Sequence, residues 1–340
     1  MVLSGAGFSL RALIFCRPQK TRRLKPAPQR THSLNPAPQT PRTANVSIYN
    51  RWDECTAGST PAWTHPLRMS APAASEPVVS FEDVSIAFDK GNILDSLSFS
   101  VASRETKILI GESGSGKTLI LKLAAGLIQP DSGTVHLLGH DLGHMTEREL
   151  LAFRRNIGFV FQEGALFDSL TVAENVAYCL REEHVSEEEI EPRVRESLRF
   201  VEMEGTEQEL PSDLSGGMRR RVSIARALIS KPHVVLYDSP TAGLDPVTAQ
   251  TIITLILRLR DTQGVTSLMA THRLQDAFGL ANYRFDGATG RVVHTAPNGA
   301  SRPSVAATNF VVLRDGKVYF EGSPPELADT RDAYLRRFLL

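Results

Sequence analysis

A chain of 340 residues, 41% hydrophobic and 22% charged, is long enough to bury a sizeable core and too apolar to be disordered throughout. Its net charge of zero hides an asymmetry: of 38 basic and 38 acidic residues, residues 1–75 hold ten and two, which leaves 28 and 36 for the body. Three cysteines exclude a disulfide framework and fit a reducing compartment, no Cys/His spacing suits a metal, no apolar run approaches the ~20 residues of a membrane span, and the acidic body argues against nucleic acid as a partner.

The basic head comes first. From Met1 to Trp52 there is no acidic residue, while Arg, Pro, Ser, Thr and Ala recur. The apolar run Phe8–Cys16 is broken by Arg11 and has no small-residue cleavage pattern beside it, which does not suit a secretory signal. Arg-rich, Ser-rich, acid-poor composition predicts an organelle transit peptide over 1–75, for a chloroplast or, alternatively, a mitochondrion. A disordered basic tail would share that composition.

Past residue 75 the pattern alternates between strands and helices. Val78–Phe81 and Ile93–Val101 alternate apolar and polar residues, as half-buried strands do. Lys107–Ile110 is a short apolar strand running into Gly111-Glu112-Ser113-Gly114-Ser115-Gly116-Lys117-Thr118, and a helical stretch, Thr118–Leu127, follows. That turn matches G-x-x-x-x-G-K-[ST] at every fixed position. Its glycines let backbone N–H groups face phosphate oxygens at the positive end of a helix. Lys117 then suits the β- and γ-phosphates of ATP, and the Thr118 hydroxyl suits Mg2+.

Thr134–Leu137 and Ile157–Phe161 read as further strands, and residues 170–205 as helical and charged, with Ser186 capping Glu187, Glu188 and Glu189. Leu214-Ser215-Gly216-Gly217-Met218 opens a predicted helix, Ser215–Ile229. The motif is either an ordinary Ser cap on a glycine turn or a second anion-binding helix start. One nucleotide needs one phosphate cradle, so a second makes sense if it completes the site of another copy in a head-to-tail pair. Val234–Asp238 is an apolar strand ending in a carboxylate, which beside the phosphate-loop strand would face Mg2+. Thr248–Arg260 is a predicted helix, Ser267–Ala270 a strand, and Phe310–Arg314 with Lys317–Phe320 a hairpin around Asp315-Gly316. Residues 286–308, rich in Gly, Pro, Ala, Ser and Thr, read as a long surface loop. Strands alternating with helices predict an α/β domain with a parallel sheet over 76–340.

The order phosphate loop, Gln162, Ser215-Gly216-Gly217, Asp238, Gly243-Leu244-Asp245, His272 resembles the ABC ATPase family. The resemblance implies a P-loop NTPase fold: a mostly parallel sheet core, an antiparallel β subdomain and a helical subdomain at about 165–230. It also implies roles. Phe88 would stack on adenine, although alone it reads as core. Gln162 would touch Mg2+ and the attacking water. Ser215, Gly216 and Gly217 would hold the γ-phosphate of the partner's nucleotide. Ala242-Gly243-Leu244-Asp245 would form a dimer-contacting loop, and His272 would reach the γ-phosphate. The chain departs from the family where a Glu normally follows the strand-terminal Asp, because that position is Ser239. Three readings stand: slow hydrolysis with Gln162 and His272 positioning water, which we favour; a Glu supplied by a non-identical partner; or ATP as a dimerisation switch.

Phe161-Gln162-Glu163-Gly164-Ala165-Leu166-Phe167-Asp168-Ser169-Leu170-Thr171-Val172 resembles the Mla-type lipid transport ATPases and their chloroplast relatives in the trigalactosyldiacylglycerol importer. This finer resemblance implies an ATPase that powers lipid transport with a second ATPase subunit, most simply an identical one, an integral membrane permease and a lipid-binding subunit. It would sit on the stromal face of the inner envelope. Gly164–Val172 would dock the permease through exposed Leu166 and Phe167, unless those side chains fill the local core. A soluble ABC protein without a transport role is the reading from another class.

Overall fold

The computed structural model describes residues 77–88, 91–295 and 307–339. The expected transit peptide and residues 296–306 of the expected loop lie outside the described residues.

The described residues open with β1 (Val79–Phe88) and β2 (Gly91–Val101), an antiparallel pair whose register shifts between Phe81 and Ala87. Next come β3 (Thr106–Gly111), α1 (Lys117–Ala124), β4 (Ser132–Leu137) and the two-residue β5 (His140–Asp141). Then α2 (Glu147–Phe153), closed at its start by a Thr146/Glu149 capping box, leads into β6 (Ile157–Val160). Strands β2-β1-β4-β5 form one antiparallel sheet.

The predicted helical span 170–205 is two helices, α3 (Val172–Glu182) and α4 (Glu187–Phe200), parted where His184 takes φ 58°. Thr171 and Glu174 form the capping box of α3. Ser186 does precede α4, but its hydroxyl makes no cap bond; its carbonyl instead accepts from the amides of Glu189 and Ile190, each at 3.0 Å. The later elements are α5 (Gly216–Leu228), β7 (Val234–Asp238), α6 (Pro246–Gln263), β8 (Thr266–Thr271), α7 (Leu274–Asn282), β9 (Tyr283–Asp286), β10 (Arg291–His294), β11 (Thr308–Arg314), β12 (Lys317–Gly322), α8 (Pro324–Ala328) and α9 (Ala333–Leu339). The segment expected as a loop from 286 therefore carries a strand, β10, paired antiparallel with β9. Asp315 and Gly316, both at positive φ, turn the predicted hairpin between β11 and β12.

Six strands form the main sheet in the order β12-β11-β3-β8-β7-β6, all parallel except the antiparallel edge β12. Its parallel strands carry consecutive apolar residues, such as Ile108–Ile110 and Phe310–Leu313, because both faces are covered. Ile108, Ile110, Val235, Tyr237, Met269, Phe310 and Val312 face the core shared with α3 to α7. Leu109, Val234, Leu236, Leu268, Ala270, Val311 and Leu313 face the core shared with α1 and the antiparallel sheet. The split follows the period of two that a pleated strand imposes. Each fully buried side chain of this kind contributes ~1.5–3 kcal/mol, so the sheet is a stiff platform whose strand ends hold position. No described helix is long and apolar enough to cross a membrane.

Candidate functional site

The predicted chemistry gathers at the carboxyl ends of the parallel strands, where open α/β sheets place their ligands. Register brings these ends level: Ile110 pairs with Thr271, Ala270 with Asp238, and Tyr237 with Val160. The phosphate loop leaves β3, His272 follows β8, Asp238 ends β7, and Gln162 lies two residues past β6.

The loop from Gly111 to Gly116 is shaped by close approaches that a side chain would block. A Cβ on Gly111 would meet the Leu313 carbonyl oxygen at 2.8 Å and Ser115 Oγ at 2.7 Å. Gly116 caps α1 at φ 91°, and a Cβ there would lie 2.6 Å from Leu94 Cδ2 of β2. Glu112, Ser113 and Gly114 are exposed, so the mouth of the loop is open. Lys117 is buried and curls across the loop, its Nζ donating to the carbonyls of Gly111 (2.8 Å) and Glu112 (2.7 Å) and to Ser115 Oγ (3.2 Å). Burial draws its pKa below the ordinary lysine value, and the nearby Asp238 charge opposes that shift.

Thr118 Oγ1 donates to Asp238 Oδ1 at 3.1 Å, and Ser239 Oγ lies 3.5 Å from the same oxygen. Burial raises the Asp238 pKa; the Thr118 hydrogen bond, Lys122, Ser239 and Lys117 pull it back. A hydroxyl and a carboxylate oxygen side by side at the start of α1 are the hard-oxygen donors that Mg2+ takes alongside phosphate oxygens, so the residues fit that ion. Ser239 is buried at φ 45°, with its amide donating to the Ala270 carbonyl (2.8 Å) and its carbonyl accepting from Ala242 (3.0 Å). Gln162 and His272 stand on the same edge with exposed side chains, outside the hydrogen-bonded group of Lys117, Thr118, Asp238 and Ser239. Phe88 ends β1 opposite Gly91 and is 55% exposed, which rules out the core reading of its ring.

Ser215 and Gly216 are exposed at the start of α5, and Ser215 Oγ accepts from the Met218 amide at 3.2 Å. A Cβ added at Gly216 or Gly217 would meet Leu244 or Thr248, not residues 111–118. A Cβ on Gly217 would sit 2.3 Å from Thr248 Cγ2, so only glycine lets α5 approach α6 this closely. Asp245 accepts from the amides of Val247 and Thr248, both at 3.0 Å, which caps α6; the Thr248 hydroxyl first, then these amides, hold the carboxyl below its usual range.

Leu166 packs on the core beside α3, and the Phe167 ring sits 4.6 Å from the Tyr178 ring with the Arg226 guanidinium 6.0 Å away. They are half-buried rather than exposed, and Asp168 and Ser169 form the outer tip instead. Several residues that shape the site escaped the sequence reading. Buried Asn175 accepts from the Phe167 amide (2.8 Å) and donates to the carbonyls of Phe167, Leu170 and Thr171 (3.0 Å each). Arg226, its pKa lowered to about 10 by burial, donates to Gly164 (3.0 Å) and Ala165 (2.8 Å). The Thr241 hydroxyl donates to Asp276, and Arg273 donates to the Thr241 carbonyl at 3.1 Å, joining the turn after His272 to the loop after Ser239. Of these, only the Thr171/Glu174 box that places Asn175 had a local signal.

A family model described as ABC transporter matches residues 94–242. The intermembrane phospholipid transport system ATP-binding protein MlaF of Haemophilus influenzae is 31% identical over 75% of this chain and 88% of its own. Protein TRIGALACTOSYLDIACYLGLYCEROL 3, chloroplastic, of Arabidopsis thaliana is 35% identical over 78% and 74%. Relatives named for methionine and for spermidine/putrescine import also align, at 39% and 31% identity. Among solved structures, a dimer of the ATP-binding cassette MJ0796 bound to ADP and Pi superposes with a TM-score of 0.59 at 29% identity, covering 72% of this chain and 98% of that one.

Proposed function

Since the chain belongs to the ABC transporter ATP-binding family, we propose that it binds Mg-ATP on residues 111–118 and Asp238, hydrolyses it slowly, and drives lipid transport through separate membrane subunits. The observation that carries this reading is the Thr118–Asp238 contact of 3.1 Å beside a lysine already wrapped across the phosphate loop.

Each residue has a task the geometry allows. Loop amides and Lys117 bind the phosphates, and Lys117 exchanges its carbonyl partners for phosphate oxygens. Thr118 and Asp238 hold Mg2+, with Gln162 as a further ligand; when bound, the ion neutralises charge on the transferring phosphate. Gln162 and His272 orient water. Ser239 offers a hydroxyl where a carboxylate would polarise that water, and loss of such a base costs roughly 10²–10⁴ in rate. Phe88 stacks on adenine. Ser215, Gly216 and Gly217 serve the nucleotide of a second, identical subunit, and Asp245 stiffens the loop that meets it. A permease docks near Gly164–Val172, through the outer tip held by Asn175 and Arg226.

Lipid as cargo rests on similarity to the phospholipid transport protein and the chloroplastic protein, which this chain matches over most of their length. A lipid-binding subunit and a stromal inner-envelope location rest on the same likeness, with a mitochondrion as the other address. The Ser239 hydroxyl favours one second reading, an ATP-driven dimerisation switch with little turnover. Turnover of the full chain reconstituted with its permease decides between them, measured for wild type, Lys117→Ala and Ser239→Glu. We expect slow wild-type turnover, loss in Lys117→Ala and a gain in Ser239→Glu. Nucleotide binding without turnover in any of them would leave the switch. Transfer of labelled phospholipid, against uptake of methionine or spermidine, tests the cargo.

A further inference from the structure

Arg220 lies in the first turns of α5, inside a run of three arginines, yet it is 5% exposed. Its Nη1 donates to the Phe161 carbonyl at 2.7 Å and its Nη2 to the Ala242 carbonyl at 3.4 Å. One planar guanidinium therefore ties α5 to the two chain segments that leave β6 and β7. Those strands are neighbours, Val160 pairing with Tyr237, so the two segments carry Gln162 and the Asp238-Ser239 pair out of the sheet side by side. We propose that Arg220 is a positioning residue for ATP hydrolysis: by gripping both segments it sets where Gln162 stands relative to Asp238.

The lever is the peptide plane. Phe161 O belongs to the rigid amide joining Phe161 to Gln162, so a short charge-assisted bond to it fixes the plane from which the Gln162 Cα departs. Without that bond the plane is held only by the Gly164 amide, which donates to the same carbonyl at 3.0 Å, and the Gln162 side-chain oxygen gains play at the catalytic edge. Ala242 O holds the other segment, whose Ala242 amide returns to the Ser239 carbonyl at 3.0 Å. Burial draws the Arg220 pKa below the ordinary arginine value, and the charges that face it, Asp238 and Glu163, one from each segment, oppose that shift. Arg226 grips Gly164 and Ala165 further along, so the chain after β6 is held at two points, and only the first adjoins Gln162. A lysine at 220 would reach one carbonyl as a point charge and lose the planar two-point hold.

The inference rests on the ATPase reading above, and the experiment separates the two. Using the full chain, ATP turnover, affinity for a fluorescent ATP analogue and amide hydrogen exchange are compared for wild type, Arg220→Met and Arg220→Lys. Arg220→Met is expected to lower kcat about 10–100-fold, in line with loss of hydrogen bonds to a charged donor. KM and analogue affinity should stay within about twofold, and Arg220→Lys should recover part of the rate. Exchange should rise at residues 161–163 and 242–244 together while α5 stays protected. An unchanged kcat, or a fall in affinity that matches the fall in rate, overturns the proposal. If Arg220→Met does not fold, Arg220→Lys decides by the same split between rate and affinity. A wild type that binds but never turns over ATP refutes the ATPase reading instead, and the exchange pattern then decides the positioning role alone.

Discussion

Replacing Gly217 by alanine tests how α5 is seated against α6. The new Cβ would lie 2.3 Å from Thr248 Cγ2, against 3.6 Å from Thr248 Cβ and 3.8 Å from Oγ1. Carbon atoms pack at about 3.5–4.0 Å, so the helices must part by more than ~1 Å or a rotamer must break. Overpacking of this kind costs ~1–3 kcal/mol, and the better helix propensity of alanine returns up to ~1 kcal/mol. The net expectation is a loss of about 1–2 kcal/mol in chemical denaturation followed by circular dichroism. The clash is with one methyl group, and serine lacks it. On a Thr248→Ser background the same Gly217→Ala change should therefore be neutral or stabilising by up to ~1 kcal/mol, a reversal of sign. If Gly217→Ala costs as much on the Thr248→Ser background as in wild type, or costs nothing in wild type, the close approach does not explain the glycine.

Asp238→Asn should raise Tm at neutral pH in the absence of nucleotide. Burial raises the folded-state pKa of Asp238, so the folded protein holds that proton more tightly and its stability falls as pH rises from the unfolded value through the folded one. The penalty grows as pH rises from the unfolded value through the folded one and is gone well below about pH 4, so a melting series should show the variant's advantage vanish in acid while Mg2+-dependent nucleotide binding is lost at every pH. Asn175→Ala takes the side-chain partner from the Phe167 amide and from three carbonyls, of which those of Phe167 and Thr171 keep a backbone amide, at a cost of ~1–3 kcal/mol. Limited proteolysis should then cut between 164 and 171 in the variant before it cuts wild type; equal rates would show that Asn175 is not what holds the tip.

The phosphate loop, the strand ending at Asp238 and the Asp315-Gly316 hairpin were legible because their chemistry is local: a few adjacent residues dictate a turn, and the turn dictates the neighbours. The strand β10 was not legible, since Arg291–His294 is short and its surroundings are rich in turn formers; its pairing with β9 decides its state. Ser186 shows the converse, a good capping sequence whose hydroxyl is left out of the cap. Leu166 and Phe167 looked like exposed apolar residues because nothing nearby in sequence names Tyr178 and Arg226 as their neighbours. Arg220 reads as one of three solvated charges, and only the approach of two distant loops makes it a buried brace. Candidate residues were thus readable where backbone shape sufficed, and their positioning partners were hidden wherever long-range packing sets burial.

The left-handed backbone at Ser239 bears on which residues that position can hold. At φ 45° a residue other than glycine is strained, least for Asn or Asp and most when β-branched, and serine and glutamate are neither. Serine and glutamate are therefore nearly equal there as far as the main chain is concerned, and the backbone gives no reason for the carboxylate to be missing. Exchanging one for the other would leave the turn as it is, so any effect of Ser239→Glu would come from the side chain and not from the main chain.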